Sequence, residues 1–143
     1  MDAINHSFSK KHRLSSHTLI ERLFGGGCSF FAYPLRCVWM ITEPAPGKEM
    51  ADVQILVSVS KKNHKRAVAR NKLKRRIREA YRLNRHHWGE LALPENKRLV
   101  LAFIYSSKEI LEYSTIEHGV VKAISEIQKR LAAGIDLSVC PAD

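Results

Sequence analysis

The sequence predicts an α+β fold: a single small α/β sandwich with one central sheet and helices packed on it, in the order α-β-β-α-β-α. Three observations predict it. The chain has 143 residues, the size of one ordinary domain and enough to bury a core. Three segments place apolar residues at helical spacing, while others alternate or run apolar as strands do. Hydrophobic residues make up 45% and charged residues 27%, the balance of a globular chain. No apolar run approaches the roughly 18 residues of a membrane-spanning helix.

The first residues, Met1 to Lys11, are polar, and 1–8 read as a flexible arm. They hold no apolar stretch with a cleavage site, so secretion is not signalled. Ser15 or Ser16 can cap a first helix by accepting a bond from a free backbone N–H. Leu19, Ile20, Leu23 and Phe24 share one face of that helix, and Gly25-Gly26-Gly27 ends it. Phe30 to Thr42 reads as one or two strands, because Leu35, Cys37, Trp39 and Ile41 alternate with their neighbours. Pro44-Ala45-Pro46-Gly47 is a loop. Val53, Ile55, Val57 and Val59 form the next alternating strand, with Gln54, Ser58 and Ser60 opposite.

A basic helix follows, from about Lys65 to His87. Leu99 to Tyr105 is apolar on both faces, the mark of a central strand. Ser114-Thr115-Ile116-Glu117 has the form of a capping box. Ile116, Val120, Ile124, Ile127 and Leu131 then carry an amphipathic helix until Gly134 stops it. Residues 1–134 form one domain in this reading, and 135–143 a flexible tail.

Charge is the informative quantity. The chain carries a formal +10. From Lys61 to Arg85 there are twelve Lys or Arg and one acid, Glu79, a net +11. The remaining twelve basic and thirteen acidic residues net −1. One short segment holds the whole excess, which points to a polyanion.

On a helical projection of about 100° per residue, Ala69, Leu73, Ile77, Ala80, Tyr81 and Asn84 fall within an arc of roughly 120° that can dock on a sheet. Arg70, Lys74, Arg78 and Arg82 follow along one edge at steps of four. Lys65, Lys72, Arg75 and Arg76 continue around the back, with Asn71 among them. Like charges at this spacing repel by a few tenths of a kcal/mol per pair, a cost that bound phosphates would remove. A solvated charged face normally mixes signs, and this one does not. A membrane surface would want a broader apolar face opposite the charge.

Chemistry of the chain's own is not visible. His64, His86 and His87 lack the Cys or carboxylate companions of a metal site, and adjacent histidines on a helix diverge by about 100°. Ser58 and Ser60 have no His–Asp context. Cys28, Cys37 and Cys140 are odd in number and include no C-x-x-C pair. Neither a disulfide framework nor a zinc site is expected, and a reduced, cytoplasmic setting fits. Phe8, Lys10, Lys11 and Arg13 precede the first helix and Phe24 lies on it. Such a group can stack bases while holding phosphates, unless Phe24 is simply core.

Val57-Ser58-Val59-Ser60-Lys61-Lys62 is followed by Arg66-Ala67-Val68-Ala69-Arg70-Asn71-Lys72-Leu73-Lys74-Arg75-Arg76-Ile77-Arg78-Glu79-Ala80-Tyr81-Arg82. This run resembles the signature of the bacterial ribonuclease P protein component. Phe8-Ser9-Lys10-Lys11-His12-Arg13-Leu14 resembles the family's F-x-K-x-x-R-L, and Leu23-Phe24-x-x-Gly27 the end of its first helix. The likeness spans roughly residues 8 to 131. Three positions depart from the pattern. Lys72 stands where the family has the second Arg of R-N-R, Ile20 where members often have Phe, and Ser106-Ser107-Lys108 where basic residues with Gly or Pro are common.

The resemblance implies a fold with a left-handed β-α-β crossover through the basic helix, similar to a domain of a small-subunit ribosomal protein and of the ribosomal translocase. It implies a protein subunit that partners a catalytic RNA and helps remove the 5′ leader of precursor tRNA, leaving a 5′-phosphate. The RNA and its Mg²⁺ carry the hydrolysis, and no catalytic residue, metal or cofactor is expected in the protein. Lys61, Lys62, Arg66, Arg70, Asn71, Lys72, Lys74, Arg75, Arg78 and Arg82 are the expected contacts to the catalytic RNA. Phe8, Lys10, Lys11, Arg13, Ile20 and Phe24 are expected to hold the leader between the first helix and the sheet. No membrane or small-molecule partner is expected. Other readings of the basic helix are a ribosomal or other structured-RNA-binding protein, and a regulator placing it in the major groove of DNA.

Overall fold

A computed structural model describes residues 10–44, 51–89, 93 and 96–133. The first helix, α1, runs over His17–Gly26. Strands β1 (Cys28–Ala32) and β2 (Leu35–Thr42) follow as a hairpin around Tyr33-Pro34, whose peptide is cis. Strand β3 (Val53–Val59) leads into the basic helix α2 (Ala67–Asn84), which continues as a 3-10 turn over Arg85–Trp88. Strand β4 (Arg98–Tyr105) and helix α3 (Tyr113–Ala132) complete the order.

The four strands form one sheet in the order β1-β2-β4-β3. β1–β2 and β2–β4 are antiparallel, while β3 and β4 are parallel and joined through α2. β4 is central, as its two apolar faces require. Alternation along the strands gives the sheet two distinct faces. Leu35, Cys37, Trp39, Ile55, Val57, Leu101 and Phe103 join Leu73, Ile77 and Tyr81 of α2 and Ile116, Val120 and Ile124 of α3 in one core. Val38, Val100 and Ala102 join Leu14 with Leu19 and Leu23 of α1 in a second. The sandwich therefore has helices on both faces, α2 and α3 on one and α1 on the other.

Several boundaries differ from the sequence reading. α2 is shorter than 65–87, because the chain at His64 and Lys65 is turned away: Arg70 Nη1 donates to both carbonyl oxygens, at 2.9 and 2.8 Å. The capping box on α3 does not form. Tyr113 and Ser114 are already helical and Glu112 is the cap, without a side-chain bond. Glu117 instead accepts hydrogen bonds from Tyr113 Oη at 2.9 Å and Asn84 Nδ2 at 3.0 Å. At α1 the expected cap is present, with Ser16 Oγ accepting from the Leu19 amide. The arm 1–8, the loop residues 45–47, Gly134 and the tail 135–143 lie outside the described residues.

The cysteines correct another expectation. Cys28 is disulfide-bonded; count and sequence spacing carry no information on which distant residues the fold brings together. Cys37 is a buried free thiol. Burial raises its pKa to about 12, and burial likewise raises that of Tyr81 to about 12. In the unfolded chain these groups ionise near 8.5 and 10. The contribution of these two groups to native stability should therefore be constant from neutral pH to about pH 8 and fall as the pH rises toward 12, since only the unfolded state releases these protons there. Denaturant midpoints measured from pH 7 to 11 check this, and a flat profile would refute it.

Candidate nucleic-acid interface

The apolar stripe of α2 fixes what its other side presents. Leu73, Ile77, Ala80 and Tyr81 are buried against the sheet and α3. Arg66, Asn71, Lys72, Arg75 and Arg78 are consequently exposed, and Lys74 half so. Among the described residues none of these five cations is within ion-pairing distance of a carboxylate. The helix's one acid, Glu79, is already engaged: Arg82 holds it through two hydrogen bonds of 2.6 and 3.1 Å. Those bonds lower the Glu79 pKa. Lys61 and Lys62 stand exposed in the turn before the helix.

Arg70 behaves differently from its neighbours. Its guanidinium ties the turn at 64–65 to the helix. His64 Nε2–H in turn donates to the Ser107 carbonyl at 2.8 Å, linking the entry to α2 with the loop after β4. Arg70 therefore fixes the start of the basic face as well as adding charge.

The segment before α1 runs along the outer edge of β3. Arg13 bridges Ile55, the Leu14 amide donates to the Ile55 carbonyl at 2.8 Å, and Gln54 Nε2 donates to the Lys11 carbonyl at 2.9 Å. With Leu14 turned into the second core, Arg13 lies close enough to Arg78 that its charge, after burial, lowers the Arg78 pKa. Arg85 Nη1 donates to His12 Nε2 at 2.7 Å. Burial, then Arg85 and Lys11, lower the His12 pKa, which disfavours the charged ring. The expected leader residue Arg13 thus sits with the basic face of α2.

On the opposite sheet face, beside the C-terminal end of α1, lies a groove of about 520 Å³. Phe24 and Gly27 form one wall, Ser29, Arg36, Val38 and Ile104 the floor, and Ser60, Asn63 and Ser106 the far side. Phe24 is 48% exposed, so it is not core. Leu19 and Leu23 supply the buried face of α1, and Phe24 lies about 100° around the helix from Leu23. Ile20 packs against the second core. Of the six residues expected to hold a leader, Phe24 alone lines this groove. Lys11, Arg13 and Ile20 are elsewhere, while Phe8 and the Lys10 side chain lie outside the described residues.

The family model described as Ribonuclease P matches residues 8–128. A ribonuclease P protein component from Porphyromonas gingivalis is 38% identical over 121 residues, covering 83% of this chain and 85% of that protein. The chain belongs to the ribonuclease P protein component family. A second family member, from Chlorobium phaeobacteroides, is 39% identical over 83 residues, covering 57% of each chain. Among solved structures, the RNase P protein of Thermotoga maritima matches with a TM-score of 0.59 at 20% identity, covering 80% of this chain and 96% of that one. That of Staphylococcus aureus matches with 0.56 at 23%, covering 82% and 95%. These two likenesses establish the fold.

Membership in the ribonuclease P protein component family makes this chain the protein part of an endoribonuclease ribonucleoprotein, with RNA as its partner. The structure also gives physical reasons for family-motif residues here. A Cβ on Gly27 would lie 2.5 Å from the Leu23 carbonyl oxygen and 2.9 Å from Val38 Cγ1. Only glycine lets the chain leave α1 this close to β2. Arg36 on the groove floor was missed by sequence reasoning. Its signal was present: a lone cation alternating with Leu35, Cys37 and Trp39 on β2, so on the face away from the larger core.

Proposed function

We propose that the exposed face of α2 binds the catalytic RNA of ribonuclease P and that the groove beside α1 receives the 5′ leader of precursor tRNA. The observation that carries this reading is that Arg66, Lys72, Lys74, Arg75 and Arg78 have no carboxylate within ion-pairing distance among the described residues, in a chain of this family. Phosphates placed along Arg66, Lys72, Lys74, Arg75 and Arg78 relieve their mutual repulsion, and released counterions drive the association. Lys61, Lys62 and Asn71 extend that surface, while Arg82, held by Glu79, contributes less. Arg13 and Lys11 continue it along the edge of β3.

In the groove, Phe24 offers a ring for stacking and Arg36 a guanidinium for a phosphate or base face. A leader held there adds binding energy to the precursor and none to mature tRNA, so the protein favours substrate over product. Mg²⁺ bound with the RNA subunit supplies the hydrolytic chemistry; the protein holds the strands and binds no cofactor of its own. Residues 1–134 act as one RNA-binding domain, and the site of action is the cytoplasm, where precursor tRNA is made.

Reconstitution tests the reading. Adding the protein to a ribonuclease P RNA should raise precursor cleavage at low Mg²⁺, and the protein by itself should cleave nothing. Cleavage by RNA-free protein, or no stimulation of the RNA, would overturn it. Phe24→Ala should reduce the preference for precursor over mature tRNA by about fivefold or more, with its melting temperature confirming the fold.

A further inference from the structure

We infer that Phe31 and Tyr33, on the β1–β2 hairpin, form a second base-stacking platform that receives the nucleotides of a single-stranded leader lying beyond the α1 groove. Three features point there. Phe31 is 57% and Tyr33 51% exposed, more than Phe24 in the groove itself. Two half-exposed aromatic rings at the end of an outer strand and its turn are a liability unless something covers them. The rings also hold one another, edge to face, with centroids 6.3 Å apart, so the surface is shaped before any ligand arrives.

Continuity with the groove identifies the occupant. Ser29 and Val38 are paired across β1 and β2 and both line the groove. Phe31 and Arg36 are the pair two residues farther along, on the same sheet face. Arg36 lines the groove as well, so a strand leaving Phe24 passes the Arg36 guanidinium and arrives on Phe31. On the other side of Phe31, a second hollow is bordered by Lys122 and by Arg130 paired with Glu126, a net positive lining. Aromatic rings flanked by cations fit an unpaired nucleic acid strand: each base has a face to stack and each linkage a charge to neutralise. The inference rests on the groove holding the leader.

The test uses the reconstituted holoenzyme and precursor tRNAs whose leaders are lengthened one nucleotide at a time until affinity stops rising. With the wild-type protein, the last nucleotides beyond the groove should add about tenfold in affinity. Phe31→Ala/Tyr33→Ala should abolish that increment and leave short-leader affinity unchanged. Phe31→Leu/Tyr33→Leu, which keeps apolar surface without a ring, should do the same. An increment that persists in both variants would overturn the platform, as would an equal loss for short and long leaders. A wild-type dimer that the variants dissociate would overturn it too, by assigning the patch to a second copy of the chain. If Phe24→Ala weakens leader binding while the hairpin variants do not, the platform alone fails. If neither matters, the groove reading fails with it.

Discussion

Gly119→Val should destabilise the protein by roughly 3 kcal/mol and lower its melting temperature by about 10 °C. Gly119 is buried in the second turn of α3, where the helix crosses the β1–β2 hairpin. A Cβ there would stand 2.7 Å from the Tyr33 carbonyl oxygen, 3.1 Å from that of Ala32 and 3.0 Å from Pro34 Cδ. Two of these three atoms are backbone, so no side chain can swing aside, and α3 must lift from the hairpin. Gly25→Ala provides the opposite case. Gly25 is also helical, near the end of α1, but nothing lies within 4 Å of its added Cβ. There only the loss of backbone freedom in the unfolded chain counts, and alanine should stabilise by about 0.5–1 kcal/mol. Urea unfolding of both variants checks the pair. Equal effects would mean that α3 tolerates displacement from the hairpin.

Neither glycine announces its role in the sequence, and the contrast shows where sequence reading succeeds. Signals carried by one element were legible. The apolar stripe of α2 buried as its spacing required, β4 took the centre of the sheet, and Ser16 capped α1. Signals that need a second element were not. Glu117 had the spacing of a capping box, but Asn84, on another helix, and Tyr113 compete for its carboxylate. Phe24 shared an apolar face with Leu23 in projection, yet α1 packs on the sheet through Leu19, Ile20 and Leu23.

The candidate site divides the same way. The composition of the segment from Lys61 to Arg85 is enough to mark a surface for a polyanion, because twelve cations against one acid need no partner element to be recognised. The destination of Arg13 depended on the pairing of Arg13 with Ile55, residues 42 positions apart, so a leader site drawn from nearness in sequence mixed two surfaces. The hairpin aromatics Phe31 and Tyr33 were read as strand residues. Their exposure became apparent only when β1 proved to be an outer strand.

Removing charge from α2 should have the largest effect on RNA binding. Lys74→Ala/Arg75→Ala/Arg78→Ala should weaken binding to a ribonuclease P RNA by on the order of a hundredfold at moderate salt. The dependence of log affinity on log salt should become shallower by about 0.7–0.9 for each phosphate no longer neutralised. Folding should survive, since these side chains flank the buried Leu73 and Ile77 and removing them reduces repulsion along the helix. Arg70→Ala separates a structural role from an electrostatic one. Because Arg70 secures the carbonyls of His64 and Lys65, its removal should lower stability by about 1–2 kcal/mol as well as affinity. Asn71→Ala removes no charge, so it should reduce affinity without changing the slope. Arg82→Ala should do less than any of the triple set, because Glu79 already neutralises that guanidinium. Titrations at several salt concentrations distinguish these cases. An unchanged slope in a folded triple variant would mean that the cationic face of α2 meets solvent in the ribonucleoprotein and that the RNA lies on another surface.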